Sequence, residues 1–590
     1  MPEQPNTGTG PLIGEFKPIR KDPSMRDLEL RRRAESRLMG LRVNRYSWWT
    51  HWRELADFYL PRRYKWLITP NQMARGSPIN QHILDSTGTI CAYKCAAGML
   101  SGTANPTRNW FRLQIGMIDS TTTSPVSLWL AEVERILRLI FQMSNFYSSV
   151  AVAILDLVVF GTCVLIIYDD DENVIRLFNP CLGEFYLEAS NSLQANVLCR
   201  EFTYTISQLV EEFGKENCSL AVQRLYYEGG ASLTREVIVA HQIEPNIDGA
   251  KYGVPSRFDW REVYWEWGGS ASPQGGSSYS PGLLRKRGFF EQPFMAGRWD
   301  LVSNDAYGRS PGMDGYPDVR QLQQETKRKG QAIDKMVNPP LVADIQLKNQ
   351  PASLLPGGVT YINGMMSTGK PGFAPVYQVQ PQVKDMMEDL NEVRERISRI
   401  FYNDVFQTIS QYETRSNVTA VEVDARRAEA FLMLGPVFER IQNEIFSKAI
   451  DRTFGIAQRK GLLPPAPDAI QGQTITIKYK SMLEIAQDAT AAAGIERVFQ
   501  LAGNLAGIDP AVMDNIDVDY GLDKISSLLN NDPRFIRSPD QLQAIRQNRQ
   551  QQMAQQQKAE MAEKLAKSAN VLSQTDVGGT RNALQMMLGT

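Results

Sequence analysis

Six apolar residues, Val383, Met386, Leu390, Val393, Ile397 and Ile400, recur at spacings of 3, 4, 3, 4 and 3. That is a heptad seam, and a helix carrying one needs a neighbour along its length. It commits 382–402 to a packed helix. A second helix is expected over 318–337, stopped by Asn338-Pro339-Pro340, because proline removes a donor and restricts the residue before it. Each helix spans about 30 Å at about 1.5 Å per residue. Between them, 338–381 is punctuated by Pro and Gly, with short strands expected at Leu341–Ile345 and Val359–Ile362. Two long helices bracketing a small β module is an unusual plan for a soluble enzyme.

The rest of the chain is expected to be mainly helical, α+β overall. Its 590 residues suggest about three to four domains. Residues 1–24 read as a flexible arm. Residues 25–60 read as one or two amphipathic helices carrying the run Arg31-Arg32-Arg33 with Arg37, Arg42 and Arg45 behind it. That run is either a solvated face or a contact for nucleic acid or an acidic partner. Trp48, Trp49 and Trp52 fall near one helix face, as core or interface anchors do. Residues 83–101 form a helix rich in Gly and Ala, and 125–160 is again helical. Short β-rich runs from 162 to 204 read as a small antiparallel sheet, with more strands over 236–267. Residues 268–282 are Gly/Ser-rich, a loop by composition. After a loop at 403–418, Thr419 and Glu422 form a capping box that opens a long helix to about 460. Pro436 sits inside that helix and predicts a kink. Further helices are expected over 482–506 and 519–530. The tail from 541 is Gln-, Ala- and Lys-rich, either a weak coiled-coil helix or partly disordered.

A search for chemistry finds none. Formal net charge is −1, so the molecule does not hold nucleic acid by bulk charge. The six cysteines form no C-x-x-C pair and read as buried free thiols in a reducing compartment. Three scattered histidines, His51, His82 and His241, argue against a metal site. Gly364 to Lys370 approaches a phosphate loop, but Pro371 stands where a hydroxyl should bind Mg²⁺ and blocks the helix that would cradle the anion. Asp169-Asp170-Asp171 reads as a solvated hairpin turn. No leader is expected at the polar, Pro-rich N-terminus. The most apolar stretch, 150–168, is interrupted by Asp156 and by Gly161-Thr162, whereas a membrane span needs about 20 apolar residues. Neither cofactor nor metal is expected.

Several segments carry a family resemblance: Trp52 to Pro61, Asp85-Ser-Thr-Gly88, Ala96 to Gly102 with Asn105-Pro106 and Trp110-Phe111, Tyr307-Gly-Arg-Ser-Pro311, and Leu505 to Ile516. In this order they resemble the head-to-tail connector (portal) proteins of short-tailed double-stranded-DNA phages, over roughly 25–540. The resemblance implies a wing at 25–317, stem helices at 318–337 and 382–402, a clip at 338–381 and a tunnel loop at 403–418. It implies a kinked wing helix with its following strand at 419–481, a crown at 482–540, and a C-terminal helix or barrel at 541–590.

The resemblance further implies a homo-oligomeric ring, usually of twelve copies, at one vertex of the virion and assembled in the host cytoplasm. Double-stranded DNA would pass through it in packaging and ejection. The partners implied are terminase, then a tail adaptor, with capsid and scaffold proteins and no membrane. The chain would be a channel and not an enzyme. Tunnel-facing candidates are Arg415, Lys327, Lys335 and Arg399, and the seam residues from Val383 to Ile400 would pack the stem. Two other classes stay open: another virion or scaffold protein, which would lack the stem–clip–stem pattern, and a nucleic-acid-processing enzyme, which would need a nucleotide loop or clustered acids.

Overall fold

The computed structural model describes residues 24–63, 81–115, 125–267, 282–337, 341–343, 373–375, 383–406, 434–467, 475–479, 482–506, 516–529, 537 and 539–574. Arg415, the strand expected at 359–362 and the phosphate-loop-like stretch 364–371 lie outside them. The fold is α+β and mainly helical. In chain order the main elements are α1 (Met25–Asn44), α2 (Tyr46–Phe58), α3 (Thr87–Thr103), β1 (Phe111–Ile115), α4 (Pro125–Met143), α5 (Phe146–Phe160), β2 (Thr162–Asp170), β3 (Val174–Phe178), β4 (Phe185–Ala189), β5 (Ala195–Thr205), α6 (Ile206–Phe213) and α7 (Leu220–Glu228). There follow β6 (Glu236–Pro245), β7 (Trp260–Glu266), β8 (Arg285–Phe289), β9 (Phe294–Arg298), α8 (Pro311–Asp314), α9 (Tyr316–Val337), β10 (Leu341–Ala343), β11 (Phe373–Pro375), α10 (Val383–Ile400), α11 (Ser447–Arg459), β12 (Ile475–Tyr479), α12 (Met482–Ala506), α13 (Val518–Leu528) and α14 (Pro539–Gln574). They fall into two compact units, one of residues 1–110, 136–463 and 481–483, the other of 111–135, 464–480 and 484–590.

In the first unit the strands between 162 and 204 do not form one sheet. They divide between a three-stranded sheet, β3-β2-β9, and a five-stranded antiparallel sheet, β4-β5-β6-β7-β8. The expectation of a single local sheet misses this because β2 pairs with β9, whose Arg298 opposes Thr162. Along β5 to β7, side chains alternate between two helical layers, as a pleated strand requires. On one face Val197, Cys199, Val263 and Trp265 pack with Leu30, Ala34, Leu38 and Leu41 of α1. On the other, Phe202, Val239 and Tyr264 pack with α6 and α7 through Ile206, Leu209, Phe213 and Val222.

Much of the basic run of α1 is engaged within the chain, while Arg32 and Arg33 stay exposed, Arg33 beside Asp248. Arg31 is buried and donates to Glu35 at 2.8 Å and to the Glu266 carbonyl at 2.9 Å. Arg37 bridges Glu188 at 2.8 Å and Glu244 at 2.6 Å, and Arg42 pairs with Glu201 at 2.7 Å. Arg45 is buried, donates to the Phe185 carbonyl and lies over the Tyr186 ring. The acidic partners of Arg37 and Arg42 come from β4, β5 and β6, 151 to 207 residues downstream, which is why these arginines look unpartnered in sequence.

Local signals set the helix ends. Ser24 Oγ accepts from Asp27 N at 3.1 Å and starts α1. Gly161 ends α5 with φ of +77°, and its backbone lies so close to Gly308 that an added Cβ would stand 2.2 Å from the Gly308 oxygen. The Asp169–Asp171 run borders the β2–β3 hairpin, and Asp169 pairs with Arg452 at 2.9 Å. Pro436 lies in helical residues 434–441, and what precedes 434 is outside the described residues. The ladder downstream is not a plain α-helix, because Gln442–Phe446 forms a π-helical turn before α11. All six cysteines are unpaired and buried.

The second unit pairs β1 with β12 antiparallel, Phe111 opposite Tyr479. In its helices Gly521 lets α13 approach α12, since a Cβ there would stand 2.1 Å from the Phe499 ring. The described part of the Gln-rich tail is one helix, α14, with mostly exposed side chains, and Arg546 pairs with Asp519 at 2.8 Å.

Candidate functional site

Helices α9 and α10 pack against each other as an antiparallel hairpin, and beyond them β10 and β11 pair antiparallel. Of the seam residues, Leu390, Val393 and Ile397 are buried, and Met386 and Ile400 are half-buried. Val383 is the first residue of α10. From α9, Val319, Leu322 and Gln323 are buried. Arg396 fixes the register: it lies 3.5 Å from Asp318 and donates to the Gln321 side chain at 3.4 Å.

The root of the hairpin is built from the family-resembling segments. Gln323 Oε1 accepts from Leu84 N at 2.7 Å and Asp85 N at 2.9 Å, and its Nε2 donates to the Asp85 carbonyl at 2.8 Å. Arg394 of α10 grips the Asp85 carboxylate at 2.7 Å, and Thr87 N caps the other oxygen at 2.9 Å. These bonds outweigh burial and hold the Asp85 carboxyl below its usual range. Gly88 brings α3 against the hairpin, where a Cβ would stand 3.0 Å from the Val319 side chain and 3.1 Å from the Tyr59 ring. Tyr59 in turn meets Phe401 edge-on at 5.7 Å. Behind this, Trp52 donates to the Phe160 carbonyl at 3.1 Å and packs edge-on with Tyr307 at 5.1 Å. Tyr307 OH accepts from Leu187 N at 3.0 Å, and Ser310 Oγ donates to the Val159 carbonyl at 2.7 Å. Trp52, Tyr59, Asp85, Gly88, Tyr307 and Ser310 of the resembling segments therefore help make a joint between hairpin and body.

Of the charged residues expected to face DNA, Lys327 and Lys335 lie on α9 with exposed side chains. Arg399 is exposed and stands 3.6 Å from Glu395, one turn away on the same helix. Arg415 is outside the described residues. The structure thus brings two of the four onto one helix and leaves Arg399 beside an acid. Sequence reasoning quoted Asp85 but gave it no role, and it missed Gln323 and the Asp85–Arg394 pair. Contacts across 238 and 309 residues leave no local periodicity to read.

Among the described residues a cluster of buried titratable groups lies inside the five-stranded sheet. His241 Nε2 donates to Glu262 at 2.8 Å, its ring stacks on Tyr264 at 4.1 Å, and Arg287 pairs with the same carboxylate. His241 and Glu262 are both fully buried. Burial lowers the His241 pKa to about 4, so the ring is neutral. Burial opposes ionisation of Glu262, but the His241 hydrogen bond and the Arg287 charge lower its carboxyl to about 2. A sealed pair with a neutral imidazole has no access to substrate. Burial likewise pushes the cysteine thiols up, Cys181 and Cys218 to about 12, so neither is a ready thiolate. Among the described residues no group of three or more His, Cys, Asp or Glu could hold a metal. No single described helix is long and apolar enough to cross a membrane.

A family model described as bacteriophage head to tail connecting protein matches residues 31–536. The chain is 37% identical over 554 residues to the probable portal protein of Bordetella phage BPP-1, covering 93% of this chain and 96% of that protein. It is 35% identical over 546 residues to the portal protein of Salmonella phage epsilon15, covering 92% and 95%.

Proposed function

The chain belongs to the family of bacteriophage head-to-tail connecting proteins, and we propose that it acts as a portal, a ring component joining phage head to tail and the passive channel for double-stranded DNA at one capsid vertex. In this reading twelve copies form the ring, assembled in the host cytoplasm. DNA enters through it during packaging, driven by a terminase docked on the end of the hairpin beyond β10 and β11. A tail adaptor later takes that place, and DNA leaves by the same path. The wing contacts capsid and scaffold proteins. The α9–α10 hairpin serves as the stem, residues 338–381 as the clip, 403–418 as the tunnel loop and 482–540 as the crown.

One observation carries the reading. A long two-helix hairpin is anchored at its root by Gln323, Asp85 and Arg394, while its outer faces stay in solvent. A rigid lever held at one end, with both outer sides free, suits side-by-side packing around a hole. DNA must slide, and every phosphate held by a cation adds salt-dependent affinity that would stall it. We assign transient phosphate contact to Arg415 in the tunnel loop. The chain has no catalytic part in this scheme, the motor being a separate protein.

The test is electron microscopy of the purified protein, viewed down the particle axis. Rings with a central hole and about twelve-fold symmetry are the expected result. Monomers or compact dimers under assembly conditions would overturn it. Intrinsic ATPase activity in the purified chain would overturn the passive role.

A further inference from the structure

The outer faces of the hairpin carry opposite charge. On α9, Arg320, Gln324, Lys327, Gln331 and Lys335 follow at spacings of 4, 3, 4 and 4, with Arg328 beside them. All six side chains are exposed, on the side turned away from the buried Val319 and Leu322. On α10, Asp385, Glu388, Glu392 and Glu395 follow at spacings of 3, 4 and 3. These too are exposed, on the side away from Leu390, Val393 and Ile397. Residues three and four apart share one helix face. The hairpin therefore has a mainly basic and amide stripe on one flank, with exposed Asp334 beside it, and on the other an acidic stripe bounded at its ends by exposed Lys384 and Arg399. They point apart, so they cannot neutralise each other within one chain. Among the described residues only Glu395 of the ten has a charged partner, Arg399 of its own helix.

The two stripes also stand at matching heights. Arg396 lies level with Asp318 and Gln321. Eight residues further along each antiparallel helix, about 12 Å at about 1.5 Å per residue, Glu388 is level with Lys327 and Arg328. By the same count Glu392 is level with Gln324, and Asp385 with Gln331. Rotation about a common axis leaves height unchanged.

We propose that the acidic stripe of α10 in one copy docks on the basic stripe of α9 in the next copy, a head-to-tail contact that sets the lateral register of the hairpins. The proposal rests on the ring reading above and names the surface that would close it. A second copy satisfies both flanks with one contact. A DNA backbone would satisfy the basic flank only and be repelled by the acidic one. Lys327 and Lys335 then serve as subunit contacts and not as tunnel lining.

The test uses the full chain and scores ring formation by electron microscopy and sedimentation. Two variants each reverse one flank: Glu388→Lys with Glu392→Lys, and Lys327→Glu with Arg328→Glu. All four positions are exposed, so circular dichroism should match wild type. Each variant alone is expected to raise the protein concentration needed for rings by about tenfold, the size expected of several exposed pairs lost and replaced by like charges. Two measurements separate this interface from a general loss of assembly. The fourfold variant restores complementarity and should restore rings, and a one-to-one mixture of the two single-flank variants should co-assemble where neither does alone. If either single-flank variant assembles as well as wild type, the interface is wrong while the ring stands. If the basic-flank variant still forms rings and loses only DNA retention, that flank faces DNA and the proposal falls. If wild type itself forms no ring, the parent reading fails with it.

Discussion

Arg298 and Glu444, 146 residues apart, hold the three-stranded sheet to the π-helical turn: the Arg298 backbone N–H donates to the Glu444 carboxylate at 2.9 Å, and its guanidinium Nε donates to the same group at 3.1 Å. Arg298 is 1% exposed. Burial raises the Glu444 pKa and Arg298 opposes that shift. The π-turn also places Ile445 against Gly297, where a Cβ would stand 2.4 Å from the Ile445 side chain. Glu444→Ala would leave a buried guanidinium without its counter-charge, at a cost of about 3–5 kcal/mol. Denaturant unfolding should show that loss. Replacing both residues with apolar ones of similar volume should cost clearly less, and equal losses would refute the pairing account.

The hairpin root gives a second prediction. A double-mutant cycle on Asp85→Ala and Arg394→Ala should return a coupling of about 1–3 kcal/mol, since the pair also carries Thr87 and the Gln323 network. Additive effects would mean that Arg394 is held by something else.

Gly161 is a position where backbone geometry decides. Its φ of +77° and the nearby Gly308 oxygen both exclude a side chain. Gly161→Ala should destabilise by about 2 kcal/mol or more, combining left-handed strain with overpacking. Gly330, with nothing within 4 Å and an α-helical setting, is the control: Gly330→Ala should stabilise by up to about 1 kcal/mol. Similar outcomes at the two sites would contradict this.

Acid should weaken the first unit through His241 and Glu262. Both have folded pKa values below their ordinary ones, about 4 and about 2. A depressed pKa means the unfolded chain takes up protons first, so stability is full above the unfolded value and lost as pH falls. The His241 contribution should fade between pH about 6.5 and 4, and that of Glu262 between about 4.5 and 2. In His241→Gln the stability curve should be flatter between pH about 6.5 and 4. An unchanged slope there would show that His241 is not buried as neutral imidazole.

Legibility in the sequence follows the range of the interaction. Helices were readable where the signal recurs every three or four residues, as in the seam from Met386 to Ile397, or where one residue punctuates the chain, as Gly161 does. Five short segments carried the family resemblance. What tertiary structure alone decided are pairings between distant charges: Arg37 with Glu188 and Glu244, Gln323 with Asp85, Arg298 with Glu444. A charge in sequence shows its sign but not its partner, because a Coulombic or hydrogen-bonded pair has no period and depends on which strands and helices the fold brings together. The same reason split the strands after 162 between two sheets. The stripes on α9 and α10 belong to both levels: their spacing is written in the sequence, but that they face away from each other became visible only once the hairpin had closed.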